Sequence, residues 1–264
     1  MTSFISASSD IAFKALFVRN RNLLRPFFSD ILDISFTEGD EVSIMSMGIP
    51  PDSVDGKLSR LDVLAKVGGR VFNIEIQTRK KGFTPKRTYY YLKSIFAYDF
   101  KSGDEYDLIE QTFAVNILDF KYLDCEEYHS SFTFHERTRK AELSDDLIIY
   151  YFELPKVPNE NVAGDRKQKW MQLIKARNEE TLEMIKANTD SAAIQEGVDA
   201  VLALNADPEF RERASMREKA LFDYGNDMAC MKREGREEER RKFAENLRKN
   251  GFTEEQIRKL IETE

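Results

Sequence analysis

The sequence is poor in the residues that most often build metal centres and covalent frameworks. Its 264 residues include two cysteines and two histidines. Cys125 and Cys230 lie far apart in the chain and neither has a base beside it. That fits inert, reduced thiols better than a disulfide framework. His129 and His135 are separated by six positions, which suits no helical metal pair, so both are expected to be structural or surface residues. No run reaches the roughly 18 apolar residues of a membrane helix. Met1–Asp10 is short and polar, without the basic start and apolar stretch of a secretory leader. The expectation is a cytoplasmic protein with no membrane partner. An excess of positive charge is also missing. Lys and Arg total 40 against 47 Asp and Glu, a net charge of −7. That balance disfavours a protein that coats nucleic acid through its overall charge and leaves a local basic patch open. Phosphate-loop, dinucleotide-fingerprint, H-E-x-x-H and G-x-S-x-G motifs are all absent, which leaves ATP use, hydride transfer and serine hydrolysis without support.

What remains is rich in core-forming and charged residues. Hydrophobic residues make up 41%, enough for a packed core, and charged residues 33%, which points to long solvated helices. Apolar residues from Asp10 to Leu32 recur at helical spacing, with Ser9 or Asp10 as the cap, and Pro26 predicts a kink or two short helices. Weak alternation over Val42–Met47 is followed by stronger strand patterns, Arg60–Val67 and Arg70–Arg79, joined by Gly68-Gly69. A two-residue glycine link between such runs predicts a hairpin. Pro85–Lys101 reads as a helix stopped by Gly103, and Thr112–Phe120 as a buried strand. Further strands are expected near Ser131–His135 and Leu147–Leu154. Beyond Pro158 the pattern is helical only: Asp165–Ala187, Ser191–Leu204 and Glu209 onward. Lys232–Lys249 is nearly all charged and reads as a solvated helix or a partner helix. After Gly251, Thr253-Glu254-Glu255-Gln256 matches a capping box and begins a last helix. The expected divisions are residues 1–157, a helical extension over 158–231, and a charged helical tail over 232–264.

The hairpin register can be derived. With Gly68 and Gly69 as the loop, Val67 pairs with Arg70, Lys66 with Val71, Leu64 with Asn73, and Asp62 with Glu75. Directly opposed residues place their Cβ atoms about 4.5–5.5 Å apart. Gln77 shares the face of Glu75, while Phe72, Ile74 and Ile76 face a core. Two opposed carboxylates repel. A divalent cation would offset this, since Mg²⁺ takes hard oxygen ligands. A raised pKa on one acid, or a staggered register, would do so too. Exposed strand faces also carry charges with no function. Arg79-Lys80-Lys81-Gly82-Phe83-Thr84-Pro85-Lys86-Arg87 adds five basic residues in nine with no acid. A basic loop beside paired carboxylates suits metal-assisted phosphodiester cleavage. The cation activates water, and Lys80, Lys81, Lys86 and Arg87 hold the phosphates. The same loop could be merely a solvated turn.

The residues Leu61-Asp62-Val63-Leu64-Ala65, Asn73-Ile74-Glu75-Ile76-Gln77 and Arg87-Thr88-Tyr89-Tyr90-Tyr91 then stand in order. With the opening Asp10-Ile11-Ala12-Phe13-Lys14, the block Gly103-Asp104-Glu105-Tyr106, and Ile117-Leu118-Asp119-Phe120, they resemble the PD-(D/E)XK nuclease family transposases, the Rpn-type recombination-promoting nucleases. The resemblance is carried by residues 8–125 and extends loosely over the helical remainder. It implies an α/β fold, a restriction-endonuclease-like αβββαβ core with a helical C-terminal extension. It also implies a DNA endonuclease that uses Mg²⁺ or Mn²⁺, linked to recombination or mobile elements. Asp62 and Glu75 take the places of the two motif acids, and the carbonyl of Ile76 would complete the metal shell. Gln77 stands where the superfamily has Lys. Being neutral, it could orient a water but not deprotonate it.

Around this centre, Asp10 and Lys14 are either an i,i+4 ion pair or an edge of the metal site. Tyr89, Tyr90 and Tyr91 cannot all face one way on a helix, so one or two are core, and another, such as Tyr90, could stack on a base. A rival reading is a catalytically weak nuclease fold serving as a DNA-binding or protein-interaction module, motivated by Gln77 and the acidic helical half. A three-acid transposase would need Asp119 or another distant acid to join Asp62. Cutting both strands would favour a homodimer, with the charged C-terminal helix as a candidate interface.

Overall fold

A computed structural model describes residues 4–45, 63–80, 85–96, 102–159 and 164–262. The chain forms two compact units, Met1–Arg211 and Glu212–Glu264.

In the first unit, Ser9 caps α1 (Asp10–Arg19) by accepting from the Ala12 amide, so Ser9 and not Asp10 is the capping residue. The helix buries Ala12, Phe13, Leu16 and Phe17 along one face. A 3₁₀ turn, Arg21–Leu23, leads into α2 (Leu24–Leu32). Two short helices therefore form as expected, but the break falls at Asn20–Leu23 and not at Pro26. Pro26 lies in the first turn of α2, where its missing N–H has no intrahelical acceptor to lose.

The sheet has six strands: β1 (Val42–Ile44), β2 (Val63–Val67), β3 (Arg70–Gln77), β4 (Thr112–Leu118), β5 (His129–His135) and β6 (Glu142–Glu153). Their order is β1-β2-β3-β4-β6-β5. The β1–β2, β2–β3 and β5–β6 pairs are antiparallel, and β3–β4 and β4–β6 are parallel. The hairpin has the derived register: Val67 opposes Arg70, Lys66 opposes Val71, and Leu64 opposes Asn73. Gly68 (φ 56°) and Gly69 (φ 72°) both take positive φ, as a two-residue hairpin turn of matching twist requires. The predicted Asp62–Glu75 pair lies outside the described residues, as do Lys81 and the end of the β1 alternation.

The parallel β3–β4 pair needs a crossover, and α3 (Pro85–Ile95) lies on it. This helix ends at Ile95, so Gly103 is not its stop. Helix and strands give the αβββαβ order, to which β6 adds a parallel strand and β5 an antiparallel edge. On one face of the sheet Phe28 stacks on Phe72 at 4.0 Å and Phe72 on Phe113 at 4.8 Å. Phe13, Phe17, Phe27 and Trp170 extend this aromatic core across the helices. On the other face Leu64, Val71, Tyr91 and Ile95 pack together. A helical stretch follows: α4 (Arg166–Lys175), α5 (Glu179–Ala187), α6 (Ala192–Ala206) and α7 (Pro208–Lys249). The expected single helix over Asp165–Ala187 is two, because Asn178 caps α5 by accepting from the Thr181 amide. Trp170 fills the core, and its indole donates to Asp30 Oδ2 at 2.8 Å.

In the second unit α7 runs to Lys249, Gly251 turns the chain at φ 83°, and α8 (Glu254–Glu262) follows. The capping box forms: Gln256 Oε1 accepts from the Thr253 amide at 2.9 Å, and Thr253 Oγ1 from the Gln256 amide at 3.4 Å. Among the described residues no helix is long and apolar enough to cross a membrane.

Candidate active site on strand β3

The alternation of β3 sends Phe72, Ile74 and Ile76 to the aromatic core and Asn73, Glu75 and Gln77 to the face covered by α3. A strand in the parallel part of a sheet is normally covered on both faces, and β3, parallel to β4, is buried on both. Glu75 is only 3% exposed, so it is not a charge on a solvated strand face. Gln77 ends the strand half-buried. In register, Gln77 stands beside Leu118 and Leu118 beside Glu153, so β3, β4 and β6 end together at one edge of the sheet.

Three of the candidate residues meet there. Arg87 Nη2 lies 3.4 Å from Glu75 Oε2, Arg87 Nη1 donates to Gln77 Oε1 at 3.5 Å, and Gln77 Nε2 donates to Glu75 Oε2 at 3.5 Å. The Arg87 guanidinium also lies over the Tyr91 ring, 5.4 Å from its centroid. Behind them, Asn116 stands opposite Glu75 on β4. Its Oδ1 accepts from Thr88 Oγ1 at 3.1 Å and its Nδ2 donates to the Tyr150 carbonyl at 3.2 Å. Asn73 is buried, and its Oδ1 has no partner among the described residues. Burial raises the Tyr151 hydroxyl above the usual tyrosine range, only partly offset by a hydrogen bond with Thr88, so this neighbour stays neutral.

The other candidates differ in exposure. Lys80 and Lys86 are exposed, and Ile76 turns its side chain to the core. Tyr91 is buried while Tyr89 and Tyr90 are exposed, with Tyr90 edge-on to Tyr91. Asp10 Oδ1 accepts from the Ile11 amide, and Lys14 is exposed. Asp119 has the opposite parity to Gln77, and Arg177 holds its carboxylate while also donating to Ser8 Oγ. Neither cysteine is in a disulfide. Asn73, Thr88 and Asn116 were not singled out from the sequence. For Asn73 the strand parity was a usable signal. For Asn116 it was not, since its place depends on the β3–β4 register.

The donor set suits a hard cation. Glu75 Oε2 and Gln77 Oε1 already converge on one positive group, the Arg87 guanidinium, and a carboxylate with a neutral oxygen is what Mg²⁺ or Mn²⁺ accepts. Among the described residues no three His, Cys, Asp or Glu side chains gather as a metal site. Asp62, expected as the motif's first acid, lies outside them.

No curated protein and no solved structure matches the chain. The sequence model of the PD-(D/E)XK nuclease family transposases does match it, over residues 7–230, and with most of its length covered the chain belongs to that family.

Proposed function

We propose that the chain is a metal-dependent DNA endonuclease acting in recombination or mobile-element biology. The observation that carries this is the buried Glu75 carboxylate, held with Gln77 and a cationic group at the end of a central strand. Burying an acid is costly unless charge compensates it, so such an acid is kept where its charge has work to do.

In this reading Glu75, with Asp62 and the Ile76 carbonyl, would hold Mg²⁺ or Mn²⁺. Once bound, the cation supplies Lewis acidity for an attacking water and for the phosphate. Gln77 would orient the water by hydrogen bonding, since its amide cannot take the proton. Lys80, Lys81, Lys86 and Arg87 would draw in and register the DNA backbone, and Tyr90, exposed on α3, could stack on a base. The Thr88–Asn116 hydrogen bond ties α3 to β4, and Asn116 in turn bonds the Tyr150 carbonyl of β6. Residues 1–157 would form the nuclease domain, 158–231 its helical extension and 232–264 a charged tail.

Plasmid nicking by wild type, Asp62→Ala and Glu75→Ala with Mg²⁺, Mn²⁺ or EDTA tests this. Cutting should require metal and fall by at least about a hundredfold in either variant, the scale of losing a main source of charge stabilisation. Equal cutting by the variants would place the activity elsewhere. DNA binding without cutting in any metal would favour the binding-module reading, which the Gln77 substitution motivates.

A further inference from the structure

Arg87 is poorly placed to be a permanent partner of Glu75. A charge-assisted guanidinium–carboxylate pair closes to about 2.7–2.9 Å. Arg87 stands at 3.4 Å from Glu75 Oε2 and 3.5 Å from Gln77 Oε1. The two sides of the pair are also unequal. The Arg87 side chain is 42% exposed and that of Glu75 4%. The acid is fixed in the sheet, while the cation reaches it from solvent. One turn along α3, the Tyr91 ring supports the guanidinium by its face, a contact that fixes no single direction.

We infer that Arg87 is an exchangeable counter-ion that couples cation binding to DNA binding. This rests on the reading of Glu75 as a cation ligand. Glu75 Oε2, which faces Arg87, is the oxygen that a divalent ion would use, and a guanidinium beside a dication on that oxygen is repelled. A divalent ion at Glu75 therefore displaces the guanidinium, which also leaves Gln77 free to turn to the water. The displaced group swings toward solvent beside exposed Lys86 and Tyr90, where its fork can take a backbone phosphate. The converse holds by linkage. A phosphate that draws Arg87 outward vacates the oxygens and tightens cation binding. Arg87 thus acts in the DNA-free protein as a positioning residue that holds the acid's charge until substrate arrives.

The test is calorimetric titration of the full chain with Ca²⁺, alone and with a short DNA duplex. Wild type, Arg87→Ala, Arg87→Lys and Glu75→Gln are compared. In wild type, duplex should tighten Ca²⁺ binding by about fivefold or more, the lower end of ordinary coupling. Arg87→Ala should bind Ca²⁺ more tightly than wild type without DNA and gain little when DNA is added. Arg87→Lys, which keeps the charge without the fork, should lie between and guards against a folding defect in the alanine variant. If Glu75→Gln abolishes binding but both Arg87 variants bind as wild type or more weakly, the counter-ion role is wrong and the cation site stands. If wild type and Glu75→Gln titrate alike, or wild type takes up no Ca²⁺, the cation-site reading fails and the coupling falls with it.

Discussion

His129 begins β5 with its ring parallel to Phe152, and its Nδ1 has no hydrogen-bond partner among the described residues. Burial, reinforced by Lys167, lowers its pKa below the ordinary 6.5. The folded protein therefore binds this proton less readily than the unfolded chain. The linked stability is fully present above pH 6.5 and is lost as pH falls through the lower folded value. The melting temperature should fall over that window, and His129→Gln should flatten the change. A slope of the same size in both proteins would remove His129 as its source. At this scale the sequence was legible where local rules decide. The parity of Glu75 and Gln77 followed from counting, and so did the rule that Tyr89, Tyr90 and Tyr91 cannot all be buried, though not that Tyr91 is the one inside. The burial of Glu75 and the approach of Arg87 were not legible, because both depend on how α3 packs over β4 and the end of β3.

At the scale of elements, the β2–β3 hairpin was the most legible part of the fold, since glycine at both turn positions leaves few alternatives. The two glycines are nevertheless unequal. A Cβ on Gly68 would lie 2.8 Å from Asp40 Cγ, whereas one on Gly69 would meet nothing within 4 Å. Gly69→Ala should cost only the backbone strain of a left-handed alanine, about 1 kcal/mol, at the low end for such positions. Gly68→Ala should cost more, toward about 3 kcal/mol, unless the Asp40 side chain moves aside. Urea unfolding midpoints of the two variants check the order, and equal losses would mean that Asp40 yields freely. Helix boundaries were harder to read. Periodicity runs on through Ala176–Asn178, and only the Asn178 side chain on the Thr181 amide shows that a new helix starts there. Pro26 misled for a related reason: a proline in a first turn is tolerated, so it marks a beginning as readily as a break.

Across the whole molecule, the mixed α/β class and the helical C-terminal stretch were visible in the alternation of patterns, since strands cease after Pro158. The sheet order was not, because β6 joins β4 ahead of β5, an arrangement that no local pattern encodes. That order puts β3 in the interior, bonded to β2 on one side and β4 on the other. Amide protons there can be released to solvent only when neighbouring strands separate, so the backbone of β3 and β4 should exchange at the slow, global-unfolding limit. Deuterium uptake followed by mass spectrometry should show peptides over 70–77 and 112–118 as the last to label, with α3 labelling earlier. Fast labelling of β3 would contradict this. The consequence is a division of labour in time. Glu75 keeps its station for as long as the protein stays folded, and any breathing at this site falls to the helix that carries Arg87.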